Sequence, residues 1–239
     1  MATYTAIHAQ LSVGAKAGVC IPNLKGSSVS SNPFYRDWAS RLGPYAGLVA
    51  SLNLTDHFSL QAELNYSSQG GKKKGKQGIA TASLPFNLPT GVTLPAYVYA
   101  NVDADIILNY VELPVLAGIN FHISPQCDFI INGGPYVGYL LNAKIKSRGS
   151  SIVYKDAAQT QPFISTPVDL NQVTDIKDQI KTVNLGLQFG LGISYKMANG
   201  SIRLTGGGNI GLTTIEKDKA NGEDHTGAPT VTLAYLINL

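Results

Sequence analysis

The sequence predicts an all-β fold, an eight-stranded antiparallel up-and-down transmembrane β-barrel. Three observations predict it. Seven or more segments alternate strictly between apolar and small polar residues, the period-two pattern of a strand with two unlike faces. The connections between them alternate long and short. Only 14% of the residues are charged, against about 25% in an ordinary soluble domain. No apolar run approaches the roughly 20 residues a membrane helix needs, so a membrane-spanning chain of this composition must cross as a closed barrel.

The pattern is clearest between Thr182 and Ile215. Val183, Leu185, Leu187, Phe189, Leu191, Ile193 and Tyr195 alternate with Asn184, Gly186, Gln188, Gly190, Gly192, Ser194 and Lys196. Asn199-Gly200 supplies a tight turn. Alternation resumes with Ile202, Leu204, Ile210 and Leu212. The whole reads as a single barrel domain over 1–239. Strands are expected at about 7–20, 44–54, 58–69, 104–122, 127–145, 182–196, 201–215 and 230–239. Long loops fall at 22–42, 70–101, 147–181 and 216–228, with part of 94–104 extending strands past the membrane. Short turns fall at 55–57, 123–126 and 197–200. Long loops at one end and tight turns at the other characterise an outer-membrane barrel. Within the third loop, Leu170, Val173, Ile176 and Ile180 have helical spacing.

Charge decides which face is outside. The apolar parity of the strands carries almost no Asp, Glu, Lys or Arg, and the opposite parity is Gly, Ser, Thr, Asn and Gln with isolated charges. A face in water would be about a quarter or more charged. The apolar parity therefore faces lipid and the small polar parity fills a narrow lumen. Phe58, Phe121, Phe129 and Tyr195 share the outward parity beside the short turns, as an interfacial girdle would.

Four inward charges stand out: Lys16, Glu63, Glu112 and Arg203. Unpaired buried charge is costly, so they are expected to form a lumen ion-pair network that plugs the barrel. Counted from the turns at roughly 2.5 Å of height per residue, Glu63 and Arg203 lie low and Lys16 and Glu112 higher. Opposite charges thus fall at matching levels, which favours two stacked ion pairs or one joined network. In the loops, Lys72, Lys73, Lys74 and Lys76 offer contacts for a polyanion such as lipopolysaccharide, and Phe34, Tyr35 and Trp38 either form a patch for a protein partner or pack the loops over the barrel mouth. Glu216, Asp218, Glu223 and Asp224 read as a solvated acidic loop without calcium-loop spacing.

Other chemistry is thinly represented. No cofactor motif is present, and Gly206-Gly207-Gly208 lies inside a strand rather than before a helix. The net charge of +3 gives no basis for nucleic-acid binding. His225 is the one histidine in a long loop, with no identifiable nucleophile. Met1 to Ala9 lack the features of an intact signal peptide, so the chain reads as a mature one behind an added Met.

Four motifs carry a family resemblance. They are Gly14-Ala15-Lys16-Ala17-Gly18; Leu60-Gln61-Ala62-Glu63-Leu64-Asn65-Tyr66-Ser67 followed by Gln69-Gly70; Asn109-Tyr110-Val111-Glu112-Leu113-Pro114; and Gly134-Pro135-Tyr136-Val137-Gly138-Tyr139-Leu140. Together they resemble the PorT-like outer-membrane β-barrel family of Bacteroidetes-type bacteria. The resemblance covers the strands and not the loops, and the chain departs from it by ending on Leu239 rather than an aromatic residue. It implies an outer-membrane barrel of OmpA or OmpX type in a Gram-negative envelope, with both termini in the periplasm. The function expected is non-enzymatic: surface loops serving adhesion, envelope structure or docking to a partner complex, with outer-membrane lipid as surroundings. Transport of ions or small solutes is the second reading and a lipid-modifying enzyme the third.

Cys20 ends a strand at the loop side and Cys127 begins one at the turn side. An apolar band of about 25 Å separates those ends, whereas bonded cysteines need Cα atoms within about 7 Å. Both thiols are therefore expected to react with an alkylating probe after denaturation without reductant.

Overall fold

The computed structural model describes residues 10–26, 38–84, 95–218 and 223–239. Phe34 and Tyr35 lie outside the described residues. Among these the chain forms fourteen strands. They are β1 (Gln10–Cys20), β2 (Asn23–Gly26), β3 (Gly43–Asn53), β4 (Phe58–Lys73), β5 (Lys76–Ala80), β6 (Tyr97–Asn101) and β7 (Asp103–Ser124). There follow β8 (Cys127–Arg148), β9 (Ser150–Tyr154), β10 (Pro162–Asp169), β11 (Gln172–Asp175), β12 (Val183–Met197), β13 (Gly200–Gly211) and β14 (Asp224–Asn238). Eight of them pair antiparallel in the order β1-β3-β4-β7-β8-β12-β13-β14, and β14 closes on β1 from Ser12↔Asn238 to Cys20↔Thr230. The ring leaves no free edge along the spanning segment, as hydrocarbon requires.

Face assignment follows the alternation. Leu48, Leu113, Leu191 and Leu233 point outward and are 54–59% exposed, while Ser12, Lys16, Ser51, Glu63, Asn65 and Glu112 point inward and are buried. Exposed apolar surface on this scale is stable only against lipid. Phe58, Phe121 and Tyr195 are exposed at the turn end, with Phe129 half-buried and its ring 6.2 Å from that of Phe121. Tyr66 and Tyr139 are exposed at the other border. Ten residues of β8 separate Phe129 from Tyr139, about 25 Å at 2.5 Å each. Close strand approach shapes the lumen: a Cβ added at inward-facing Gly14 would lie 1.9 Å from the Tyr235 carbonyl oxygen.

The loop end is more structured than the sequence suggests. β7 and β8 each run 22 residues and extend past the apolar band. A bulge sits between them where Asn109 pairs Asn142 but Tyr110 pairs Leu140, leaving Leu141 extra. It reverses the parity of β8 above that point. Simple alternation would turn Lys144 and Lys146 inward; instead Ala143 is buried and Lys144, Lys146 and Arg148 are exposed. The expected helix at 169–181 is absent. Its residues form β11, paired to the protruding edge of β8, and a 3-10 turn at Lys177–Gln179. An edge without lipid or partner leaves backbone groups to satisfy, and β11 satisfies them. Leu170, Ile176 and Ile180 are buried as helical spacing would have them, but Val173 is exposed. The parts 70–101 and 147–181 also form a second sheet in the order β10-β9-β6-β5, around Val98, Ala100, Val102, Val153 and Leu170.

A closed ladder of this kind opens only as a whole. In detergent the protein is expected to migrate as a fast, compact band on gels until boiled, and then at its full mass of 25.3 kDa. A protein monodisperse in buffer without detergent would contradict the assignment of faces.

Candidate functional site: the lumen and the loop end

The register explains which lumen charges meet. Lys16 pairs Gly47 on β3, Gly47 pairs Asn65 on β4, and Asn65 pairs Glu112 on β7. Lys16 and Glu112 therefore share a row, as height counting predicts, but Asn65 stands between them. Gly47 has no side chain to block Lys16, which reaches across β3 and one step down to Glu63. The Lys16 Nζ–Glu63 Oε2 distance is 2.6 Å. Of the two expected arrangements, two stacked pairs at matching levels are not formed: Lys16 pairs across levels with Glu63.

Glu63 also accepts hydrogen bonds from Gln61 Nε2 (2.6 Å), Asn65 Nδ2 (2.7 Å) and Gln188 Nε2 (2.9 Å). The Tyr45 ring lies 5.0 Å from the Lys16 ammonium. Arg203 joins indirectly: its Nη1 donates to Gln61 Oε1 at 3.2 Å and to Ser51 Oγ at 3.4 Å. Glu112 is held separately and is fully buried. Asn209 Nδ2 donates to both of its oxygens, at 3.1 and 3.0 Å, and Gln69 Nε2 to one at 3.4 Å. No cation touches it among the described residues. Beyond Glu112 the mouth is filled by an apolar cluster of Leu24, Trp38, Ile106, Leu108, Tyr110, Leu140, Ile176, Ile180 and Ile215. Between this cluster and the turns lies a chamber of about 40 Å³ bordered by Lys16, Glu63, Gln188 and Arg203.

The loop-end residues divide. Trp38 is buried in that cluster, with Lys73, also buried, 4.9 Å over its ring. These two are not surface contacts. Lys72 is half-buried in β4, while Lys74 and Lys76 are exposed at the β4–β5 tip. Lys76 Nζ donates to the Ala157 carbonyl at 2.8 Å. The acidic loop is likewise corrected: Glu216 and Asp224 are buried, and the Asp224 N–H donates to Glu216 Oε2 at 2.9 Å. Burial pushes the Glu216 carboxyl up to about 7 and raises Asp224 as well. Two groups escaped sequence reasoning. Arg41 clamps the β4 backbone through Ser68 and Gln69, and Asp128 binds His122 (2.6 Å) and Lys196 (2.9 Å) at the turn end. Inward parity marks Asp128 and Lys196, but Arg41 lies in a loop without period.

The sequence of the chain matches the outer membrane protein beta-barrel domain over residues 8–216. The chain belongs to this outer-membrane β-barrel family. Its place is accordingly the bacterial outer membrane. Among curated proteins none matches the chain. Among solved structures it is similar to Neisserial surface protein A, with 10% identity, 94% of this chain and 96% of that one covered, and a TM-score of 0.42. Ail, the attachment invasion locus protein of Yersinia pestis, is 10% identical over 95% and 98%, with a TM-score of 0.37. OprG of Pseudomonas aeruginosa is 9% identical over 96% and 93%, with a TM-score of 0.38.

The family barrel makes two predictions. Lys16→Met strands the buried Glu63 carboxylate and is expected to cost about 3–5 kcal/mol of stability. Glu112→Gln replaces a carboxylate bound by amides and is expected to cost only about 1–2 kcal/mol. Urea or guanidinium unfolding in micelles measures both. The second concerns Glu216. An acid whose folded pKa lies above its unfolded 4.5 favours the fold while protonated. That contribution is complete below about pH 4.5 and is lost as pH rises through about 7. Amide exchange at Ile215 and Asp224, corrected for its intrinsic pH dependence, is expected to accelerate over that range, and Glu216→Gln to remove the acceleration.

Proposed function

We propose that the protein is a non-enzymatic surface barrel whose folded loop end serves adhesion, envelope structure or docking to a partner complex. The observation that carries this reading is the apolar cluster beneath the loops. It fills the barrel mouth, and a second sheet with a core of its own lies at the same end, so the loop end is a shaped platform rather than the rim of a pore. In this reading the long loops face outward and both termini lie in the periplasm, which the short turns between β3 and β4, β7 and β8, and β12 and β13 support. The four strand motifs support a PorT-like membership within the broader family.

Two kinds of contact fit the platform. Lys72, Lys74 and Lys76 keep at least part of their side chains in water and suit the phosphates of lipopolysaccharide or another polyanion. The outer face of the four-stranded sheet suits a protein partner. Passage of ions or small solutes is a second reading, favoured by cavities in the lumen and opposed by the cluster above them. A lipid-modifying enzyme finds least support: the His225 ring makes no hydrogen bond to a hydroxyl among the described residues, and its strand position pairs Lys25.

Planar-bilayer recordings and cross-linking in native outer membrane test the proposal together. The expected outcome is no steady conductance from the unaltered protein, with cross-linked partners or lipopolysaccharide recovered and reduced by Lys72→Gln, Lys74→Gln and Lys76→Gln combined. A well-defined conductance whose selectivity shifts in Lys16→Met would replace surface presentation with transport.

A further inference from the structure

We propose that the turn end of the lumen is a blind binding site for a small oxyanion, a solute bearing a carboxylate or phosphate group, with Arg203 at its floor. This goes beyond the surface reading and does not rest on it.

A cavity of about 170 Å³ opens at the turn end and is lined by side chains from most of the barrel strands. A water needs roughly 10–15 Å³ by the same measure, so the space takes a solute of several heavy atoms. Its walls are donors: the amides of Asn53, Asn120 and Asn238 and the hydroxyls of Ser194 and Ser201. Asn238 Oδ1 accepts from Ser12 Oγ at 2.9 Å, which leaves its amide hydrogens for another partner. Arg203 and Ile130 border both this cavity and the inner chamber, and so form the partition between them.

The charge balance is uneven. Lys16 and Glu63 neutralise one another deeper in the lumen. Asp128, the one carboxylate lining the cavity, already holds Lys196 and His122. Arg203 makes no ion pair among the described residues. Among those residues its Nη1 is occupied by Ser51 and Gln61, while its Nε, which is buried, and its Nη2 make no hydrogen bond. A half-buried guanidinium with no carboxylate in contact, and with Asp128 acting on it only through space, is under-compensated, and one that faces a donor-lined cavity is the arrangement an oxyanion completes. The apolar cluster beyond Glu112 makes the pocket blind.

Inorganic phosphate and succinate are the probes, titrated into the full chain folded in detergent micelles. Binding is followed calorimetrically and by the nitrogen resonances of the guanidinium. The expected result is saturable one-site binding of at least one probe, with the Arg203 resonances shifting. Arg203→Gln is expected to weaken it at least tenfold, Lys196→Gln to weaken it severalfold, and Asp128→Asn to tighten it by removing a competing carboxylate. Lys74→Gln at the loop end is expected to change nothing. Preference for phosphate or for succinate assigns the chemistry within the class. Gel migration verifies folding of each variant, and if Arg203→Gln does not fold, the opposite shifts of Lys196→Gln and Asp128→Asn carry the test. Non-saturable uptake of both probes, or affinity unmoved by both of those variants, overturns the site. Steady anion-selective conductance overturns its blindness.

Discussion

Hydrocarbon offers no hydrogen bonds, so every backbone N–H and C=O in the spanning segment must find its partner within the chain. The pairing of β14 with β1 meets that demand by joining the last strand to the first. Much else follows from it. Short turns at one end hold neighbouring strands in register. Outward positions are released to be apolar, and inward positions mix glycines and small polar residues with a few large polar side chains such as Tyr45, Glu63 and Tyr136. Gly14, whose added Cβ would lie against the Tyr235 carbonyl, records how closely the neighbouring strands β1 and β14 come at their seam.

The interior meets a second form of the same demand. Lys16, Glu63 and Arg203 are linked by Gln61 and the hydrogen bonds of Asn65 and Gln188, while Glu112 rests on Asn209 and Gln69. Amides outnumber charges in this network because one amide both donates and accepts, and can relay between groups that do not touch. In low dielectric such a network is strong when complete. Both Glu63 oxygens are satisfied, whereas the Arg203 Nε is buried with no partner among the described residues, which is why the turn end of the lumen is chemically unlike its middle.

The sequence revealed the barrel strands because parity in a lipid-facing strand has no exceptions to blur it: Phe58 to Tyr66 and Val111 to Phe121 keep their faces in the structure. It revealed which charges point inward for the same reason. It did not reveal their partners. Height counting placed Lys16 beside Glu112, but a flexible lysine next to a glycine chooses among acceptors on two strands, and Glu63 is within reach. Above the membrane the rule weakens, because both faces can be wet. There the extra residue Leu141 reversed the parity of β8, and apolar residues spaced as a helix served a strand and a 3-10 turn instead. The burial of Trp38, Glu216 and Asp224 depends on loops folding back over the mouth, a tertiary event with no local period.

The unequal reach of the strands divides the molecule by solvent. β7 and β8 carry their pairing well past the last lipid-facing aromatics, and the upper part keeps apolar clusters of its own around Val98 and Val153. It is in effect a small water-soluble domain whose two main supports happen to be rooted in a bilayer. A protease with access to that end could trim that domain and leave the barrel standing. Changes in its sequence are likewise insulated from insertion, since the ring closes without it. The closed ring is thus a fixed socket on which loop-end sequences can vary.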